Sequence, residues 1–130
     1  MAKLERIVHV DDDEDIRTLT KMALELVGKY QIEQFASGEE TLNAASGLRP
    51  QLFLLDYMMP GMSGEELFRR LRELPGLGAV PAVFMTAKTE QSFAQRLVDE
   101  GALGVITKPF DIGELCQQIE AAWATLPQNG

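Results

Sequence analysis

The 130-residue chain has one cysteine, Cys116, one histidine, His9, and one tryptophan, Trp123, and no apolar run of bilayer-spanning length. A single thiol excludes an internal disulfide framework and a thiolate-rich zinc centre. It fits a reducing compartment, where a buried cysteine is a small apolar residue. Positive charge is also short: 12 Lys and Arg stand against 20 Asp and Glu, a formal net charge of −8. That balance disfavours direct nucleic-acid binding, which needs a clustered positive surface to displace counterions. Near the start, Lys3, Glu5 and Arg6 have no long apolar segment behind them. Neither a signal or transit sequence nor membrane insertion is therefore expected, and the expected location is cytoplasmic. Low-complexity tracts and domain-sized linkers are missing too, so residues 1–130 are expected to form one domain, with a core over about 4–126 and a short tail or linker stub at 127–130.

What remains is a chain that is 45% hydrophobic and 25% charged, enough to bury roughly two thirds of its unfolded surface without a disulfide or structural metal. Short apolar runs alternate with amphipathic stretches. Arg6–Val10, Gln31–Phe35, Gln51–Leu55, Ala82–Thr86 and Gly104–Thr107 read as five strands, three of them nearly continuous apolar runs of the kind buried on both faces of a parallel sheet. Between them, Ile16, Leu19, Ala23, Leu24 and Val27 recur at helical spacing up to Gly28. Ser37 and Glu40 offer a capping box for a second helix to about Ala45, and Leu67, Leu71 and Leu74 mark a third that ends at Pro75-Gly76. A fourth helix is expected from Gln91 to Glu100 with Ala94, Leu97 and Val98 inward. A fifth follows Asp111, with Leu115, Ile119, Ala122 and Leu126 on one stripe. Strict βα alternation predicts an α/β, doubly wound five-stranded parallel sheet of order 2-1-3-4-5, which places ligands at the C-terminal strand ends near strands 1 and 3.

The residues that follow those strands are Asp11, Asp12 and Asp13, then Asp56, then Thr86 and Ala87, then Lys108 and Pro109. Singly, each has a plain reading: an acidic loop can cap a helix, and a lysine can lie along the surface. Gathered at one edge, Asp11, Asp12 and Asp56 would repel one another by roughly 4 kcal/mol per pair at about 4 Å and an effective dielectric near 20, so a cation is expected. Hard oxygen ligands without histidine or thiolate point to Mg²⁺ or Mn²⁺. His9, inside the first strand, reads as a packed or hydrogen-bonded side chain.

Together, Val10-Asp11-Asp12-Asp13, Leu55-Asp56-Tyr57-Met58-Met59-Pro60-Gly61-Met62-Ser63-Gly64, Met85-Thr86-Ala87 and Thr107-Lys108-Pro109-Phe110 resemble the receiver domain of bacterial two-component response regulators. The resemblance covers residues 4–126. It implies the flavodoxin-like (βα)5 receiver fold and a phosphoacceptor signalling domain that catalyses only its own phosphorylation and dephosphorylation. It further implies that Asp56 accepts a phosphoryl group from a phosphohistidine on a sensor kinase or a histidine phosphotransfer protein. Asp11, Asp12, Asp56 and the Met58 backbone carbonyl would hold Mg²⁺, Thr86 with Ala87 and Lys108 would bind the phosphoryl oxygens, and the Lys108-Pro109 bond would be cis. The chemistry is consistent, because phosphoryl transfer is mostly positioning and charge neutralisation.

One position departs from the family. Val105, three residues before Lys108, stands where Tyr, Phe or His is common and has no ring to swing inward when Thr86 moves. The response is then expected to run through the backbone of residues 87–91. Met58 and Lys88, two beyond Asp56 and Thr86, should tune the lifetime of the acyl phosphate. Neither can position a hydrolytic water as a carboxylate or amide would, so slow self-dephosphorylation is expected. An aspartyl-phosphate phosphatase of the haloacid dehalogenase type would need an aspartate where Met58 stands, and a flavin or nucleotide site would be repelled by Asp11-Asp12-Asp13-Glu14-Asp15. A stand-alone regulator is favoured over a receiver excised from a larger regulator or hybrid kinase. The cognate kinase, the downstream protein target and a phosphorylation-dependent homodimer are left open by the residues.

Overall fold

Strand and helix alternation places five parallel strands in one sheet of order β2-β1-β3-β4-β5. The computed structural model describes residues 3–87 and 90–127. The strands are β1 (Arg6–Val10), β2 (Gln31–Phe35), β3 (Leu52–Asp56), β4 (Ala82–Thr86) and β5 (Gly104–Thr107). The helices are α1 (Glu14–Met22), α2 (Gly38–Ala44), α3 (Gly64–Leu71), α4 (Gln91–Asp99) and α5 (Ile112–Trp123).

Period-two alternation sorts the central strands into two apolar layers. Val8, Val10, Phe53, Leu55 and Phe84 pack with Leu67 and Leu71 of α3 and Leu97 of α4. Ile7, Leu52, Leu54, Val83, Met85 and Ile106 pack with Leu24 and with Leu115 and Ile119 of α5. β3 and β4 are buried along their whole length, as their unbroken apolar sequence requires.

Side chains that the helices need at their starts are in place. Asp13 caps α1 by accepting from the amides of Asp15 and Ile16, Ser37 and Ser63 accept from Glu40 and Glu66, and Asp111 accepts from Gly113 and Glu114.

Several expected boundaries and faces differ. Gln51 lies outside β3 because its side chain clips the first strand, accepting from the Glu5 and Arg6 amides at 2.7 and 2.9 Å and donating to the Lys3 carbonyl. The first helix does not run unbroken to Gly28: a π-helical turn over Ala23–Val27 follows Met22, with the Gly28 amide bonded five residues back to the Ala23 carbonyl. Its inward positions are Thr20, Ala23 and Leu24, so Leu19 and Val27 are exposed at 39% and 55%. Val98 is likewise 41% exposed, because α4 turns Leu97 inward. The third helix stops at Leu71, and Leu74 belongs to the turns that follow.

Candidate functional site

Register decides which side chains share the C-terminal edge. Val10 pairs with Leu55, so Asp11 and Asp56 leave adjacent strands at one level; Asp56 pairs with Met85 and Thr86 with Thr107, which sets Thr86 and Lys108 one step further along the next strands. Asp11 is fully buried, Asp56 and Thr86 are buried, and Asp12 is exposed. One carboxylate oxygen from each of Asp11, Asp12 and Asp56 lies within 4.8 Å of the others. Asp13, the third residue of the acidic run, points its side chain to the α1 amides instead.

Lys108 reaches this cluster from the end of β5. Its Nζ lies 2.8 Å from Asp11 Oδ2 and 3.0 Å from Asp56 Oδ1. Burial works against the ammonium charge, but the bonds to Asp11 and Asp56 outweigh it and hold the lysine above its ordinary pKa. The Asp56 carboxyl is pushed up to about 6, first by burial and then by the Asp11 charge, with Lys108 pulling in the opposite direction. Two buried carboxylates and one ammonium therefore leave the site short of positive charge.

The loop after Asp56 is fixed at both ends. The Tyr57 amide donates to the Met85 carbonyl at 2.8 Å, and the Gly64 amide donates to the Tyr57 carbonyl at 3.0 Å. A Cβ at Gly64 would stand 2.2 Å from the Asp56 carbonyl oxygen, so only glycine lets α3 start this close to the strand end. Met58 projects outward, 66% exposed, whereas Met59 is buried. Ala87 is exposed at the mouth, Val105 is half-buried against the α3–α4 layer, and the Lys108-Pro109 peptide is cis. Lys88, the other expected lifetime residue, lies outside the described residues.

Sequence reasoning missed the support beneath Asp11. Arg17 of α1 donates to the Asp11 carbonyl at 2.8 Å, and Gln34 of β2 donates to the Arg17 carbonyl while contacting His9 Nδ1 at 3.0 Å. Burial, helped by the Lys108 and Arg17 charges, lowers His9 to about 3, so it is neutral. Nothing in the linear pattern joins residues 9, 17 and 34, which meet only through β1–β2 pairing and α1 packing.

Three carboxylate oxygens, no nitrogen or sulfur donor, and an Asp56 acid weakened by its surroundings form a donor set that fits a hard divalent cation. A cavity of about 680 Å³ opens at the opposite edge of the sheet, lined by Leu42, Leu48, Leu74, Arg6 and Arg49 among others, and shares no residue with this cluster.

Comparison with known proteins gives one family. Residues 7–120 match the family model for the response regulator receiver domain. The chain is 35% identical over 118 residues to the phosphate regulon transcriptional regulatory protein PhoB of Rhizobium meliloti (strain 1021), covering 91% of this chain and 52% of PhoB. It is 36% identical over 121 residues to the response regulator GacA of Pseudomonas viridiflava, covering 92% of this chain and 55% of GacA. It thus spans about half the length of these curated relatives. Among solved structures, the chemotaxis response regulator CheY4 of Vibrio cholerae superposes with a TM-score of 0.82 at 28% identity, covering 92% of this chain and 99% of that one. The receiver domain of a signal transduction histidine kinase from Syntrophus aciditrophicus superposes with a TM-score of 0.78 at 28% identity, covering 97% and 95%. No helix among the described residues is long and apolar enough to cross a membrane.

Proposed function

The chain belongs to the response regulator receiver domain family of two-component signalling, and from that membership we propose that Asp56 accepts a phosphoryl group from a phosphohistidine on a partner protein. The observation that carries this is the joint placement of a buried Asp56, the Asp11–Asp12–Asp56 oxygens and the Lys108 ammonium at one strand edge. In the transfer, an Asp56 carboxylate oxygen forms a bond to phosphorus as the phosphorus–nitrogen bond breaks, and the released imidazole nitrogen keeps the bonding pair and takes a proton from solvent. Hydrolysis of the acyl phosphate returns the carboxylate and inorganic phosphate.

This chain's residues divide the work. Asp11, Asp12 and Asp56, with the Met58 carbonyl, would hold Mg²⁺ or Mn²⁺. When bound, the ion neutralises charge on the phosphoryl oxygens. Lys108, already 3.0 Å from Asp56, stays charged and bonds a phosphoryl oxygen after transfer. The Thr86 hydroxyl and the Ala87 amide take others. Exposed Met58, together with Lys88, tunes the lifetime by supplying no group that orients water, so decay is slow and Met58→Asn alters it.

The donor is a sensor histidine kinase or histidine phosphotransfer protein in the cytoplasm, and the readout is a change in protein contacts.

Beryllofluoride with Mg²⁺, a stand-in for the phosphoryl group, tests the assignment by calorimetry and light scattering. Wild type is expected to bind it and Asp56→Asn to lose binding. Equal binding by Asp56→Asn would overturn the assignment. A dimer formed only by the loaded wild type marks self-association as the output, and a loaded monomer marks a heterologous contact.

A further inference from the structure

The residue after Asp56 makes a set of contacts that the phosphoryl chemistry does not use. Tyr57 stands edge-on to Phe93 of α4, with ring centroids 5.0 Å apart, and to Phe84 of β4 at 6.0 Å. Its hydroxyl accepts from Arg96 Nη2 at 3.2 Å and donates to Glu65 Oε1 at 3.5 Å. Arg96 also lies over the Phe93 ring at 5.2 Å, pairs with Glu100 at 2.9 Å, and approaches Glu65 of α3 at 3.8 Å. One side chain on α4 thus joins the residue beside Asp56 to Glu65 of α3 and to Glu100 just past the end of α4.

Helix α4 is otherwise held by its packing on β5, through Leu97 and the partly buried Phe93. Leu97 is its one fully buried residue, and among the described residues its start at Glu90 has no side-chain cap, whereas the starts of α1, α2, α3 and α5 are each capped by a side chain. An element with few buried contacts shifts at small free-energy cost, so two or three bonds decide where it sits. Tyr57 is the reverse: its amide and carbonyl are both bonded, to Met85 and Gly64, so a displacement at Asp56 passes into the ring through a stiff backbone. Val105 offers no ring to carry such a displacement from β5.

We propose, resting on the phosphoacceptor reading of Asp56, that Tyr57 and Arg96 are positioning residues that latch α4 to the Asp56 loop in the unmodified protein and part when Asp56 is loaded. The bond belongs to the unmodified state, so breaking it by mutation removes an interaction that loading must otherwise give up. Because linkage is reciprocal, the variant then binds the loading ligand more tightly. Arg96 is half exposed and its bonds are solvent-screened, which sets the effect at roughly two- to fivefold.

The test is titration of wild type, Tyr57→Phe, Arg96→Ala and Arg96→Lys with beryllofluoride at fixed Mg²⁺, followed by calorimetry and by amide chemical shifts. Tyr57→Phe keeps the ring packing and loses only the hydroxyl, so its fold is preserved. The expected results are tighter binding by Tyr57→Phe and Arg96→Ala, partial return toward wild-type affinity in Arg96→Lys, and α4 shifts on loading that shrink in both latch-less variants. A merely structural pair would move the melting temperature and leave the affinity alone. Unchanged or weaker affinity in both latch-less variants overturns the latch, as does a loaded wild type whose α4 amides stay still while the Asp56 loop responds. Failure of wild type to bind at all overturns the phosphoacceptor reading, and the latch falls with it.

Discussion

Beside Asp11 and out of water, Asp56 keeps its negative charge only above a pKa of about 6, against 3.8 for a free aspartate. The native state therefore binds the extra proton between those values, and this group's contribution to stability falls as pH rises through the window. Above it, ionised Asp56 destabilises the cation-free fold by an amount on the order of 1–3 kcal/mol. Asp56→Asn should accordingly be more stable than wild type at pH 7.5 in chelator, with the gain shrinking toward pH 5 and narrowing when Mg²⁺ is added. His9 has the opposite sign: neutral and lowered to about 3 in the fold from 6.5 when free, it contributes stability that is lost as pH falls below 6.5. Removing the Asp56 term exposes the His9 term, so urea midpoints of Asp56→Asn should fall more steeply from pH 7 to 5 than those of wild type. Parallel midpoints would refute the Asp56 assignment, and Asp56→Asn midpoints that stay level from pH 7 to 5 would refute that of His9. The residues at the strand ends were legible because polar side chains interrupt apolar runs there. Arg17 and Gln34 were not, since a support beneath Asp11 leaves no mark on local periodicity.

Helix α3 is placed by the glycine at its first position. Gly64→Ala sets a methyl group 2.2 Å from the Asp56 carbonyl oxygen, so either the helix start or the strand end must move. A loss of about 2 kcal/mol or more is expected in denaturant melts, together with weakened beryllofluoride binding, because the moving backbone carries Asp56. Wild-type stability in that variant would show that the helix start has slack. The same seam explains which element boundaries could be read. β1, β2, β4 and β5 have the bounds expected from the sequence, and capped helix starts follow Asp13, Ser37, Ser63 and Asp111. Gln51 reads as strand in the sequence because its clip on β1 is a tertiary contact. Leu19 and Val27 read as core by apolar identity, but helical phase turns them out, and Thr20 holds the inward position before the π-helical turn.

The sheet divides the molecule into two apolar layers, so damage on one side should be felt little on the other. Leu67 of α3 and Ile119 of α5 are both fully buried, in different layers. Leu67→Ala should cost about 2–5 kcal/mol and Ile119→Val about 0.5–1.5 kcal/mol. In the double variant the costs should add to within roughly 0.5 kcal/mol, since the two sites share no partners. A larger interaction energy, measured by urea unfolding, would mean that the sheet transmits strain between the layers. The two-layer order itself was legible at this scale, because strict alternation of strand and helix leaves few topologies.

Both outer strands of that sheet are short, five residues in β2 and four in β5, and β2 sets exposed Gln31 and Glu33 along its rim. Brevity and polar side chains at a free rim discourage a neighbouring molecule from extending the sheet by backbone pairing. Edge-to-edge pairing is thereby disfavoured, which leaves helix surfaces and loops, whose positions can change, better suited to partnership than the rims of the sheet.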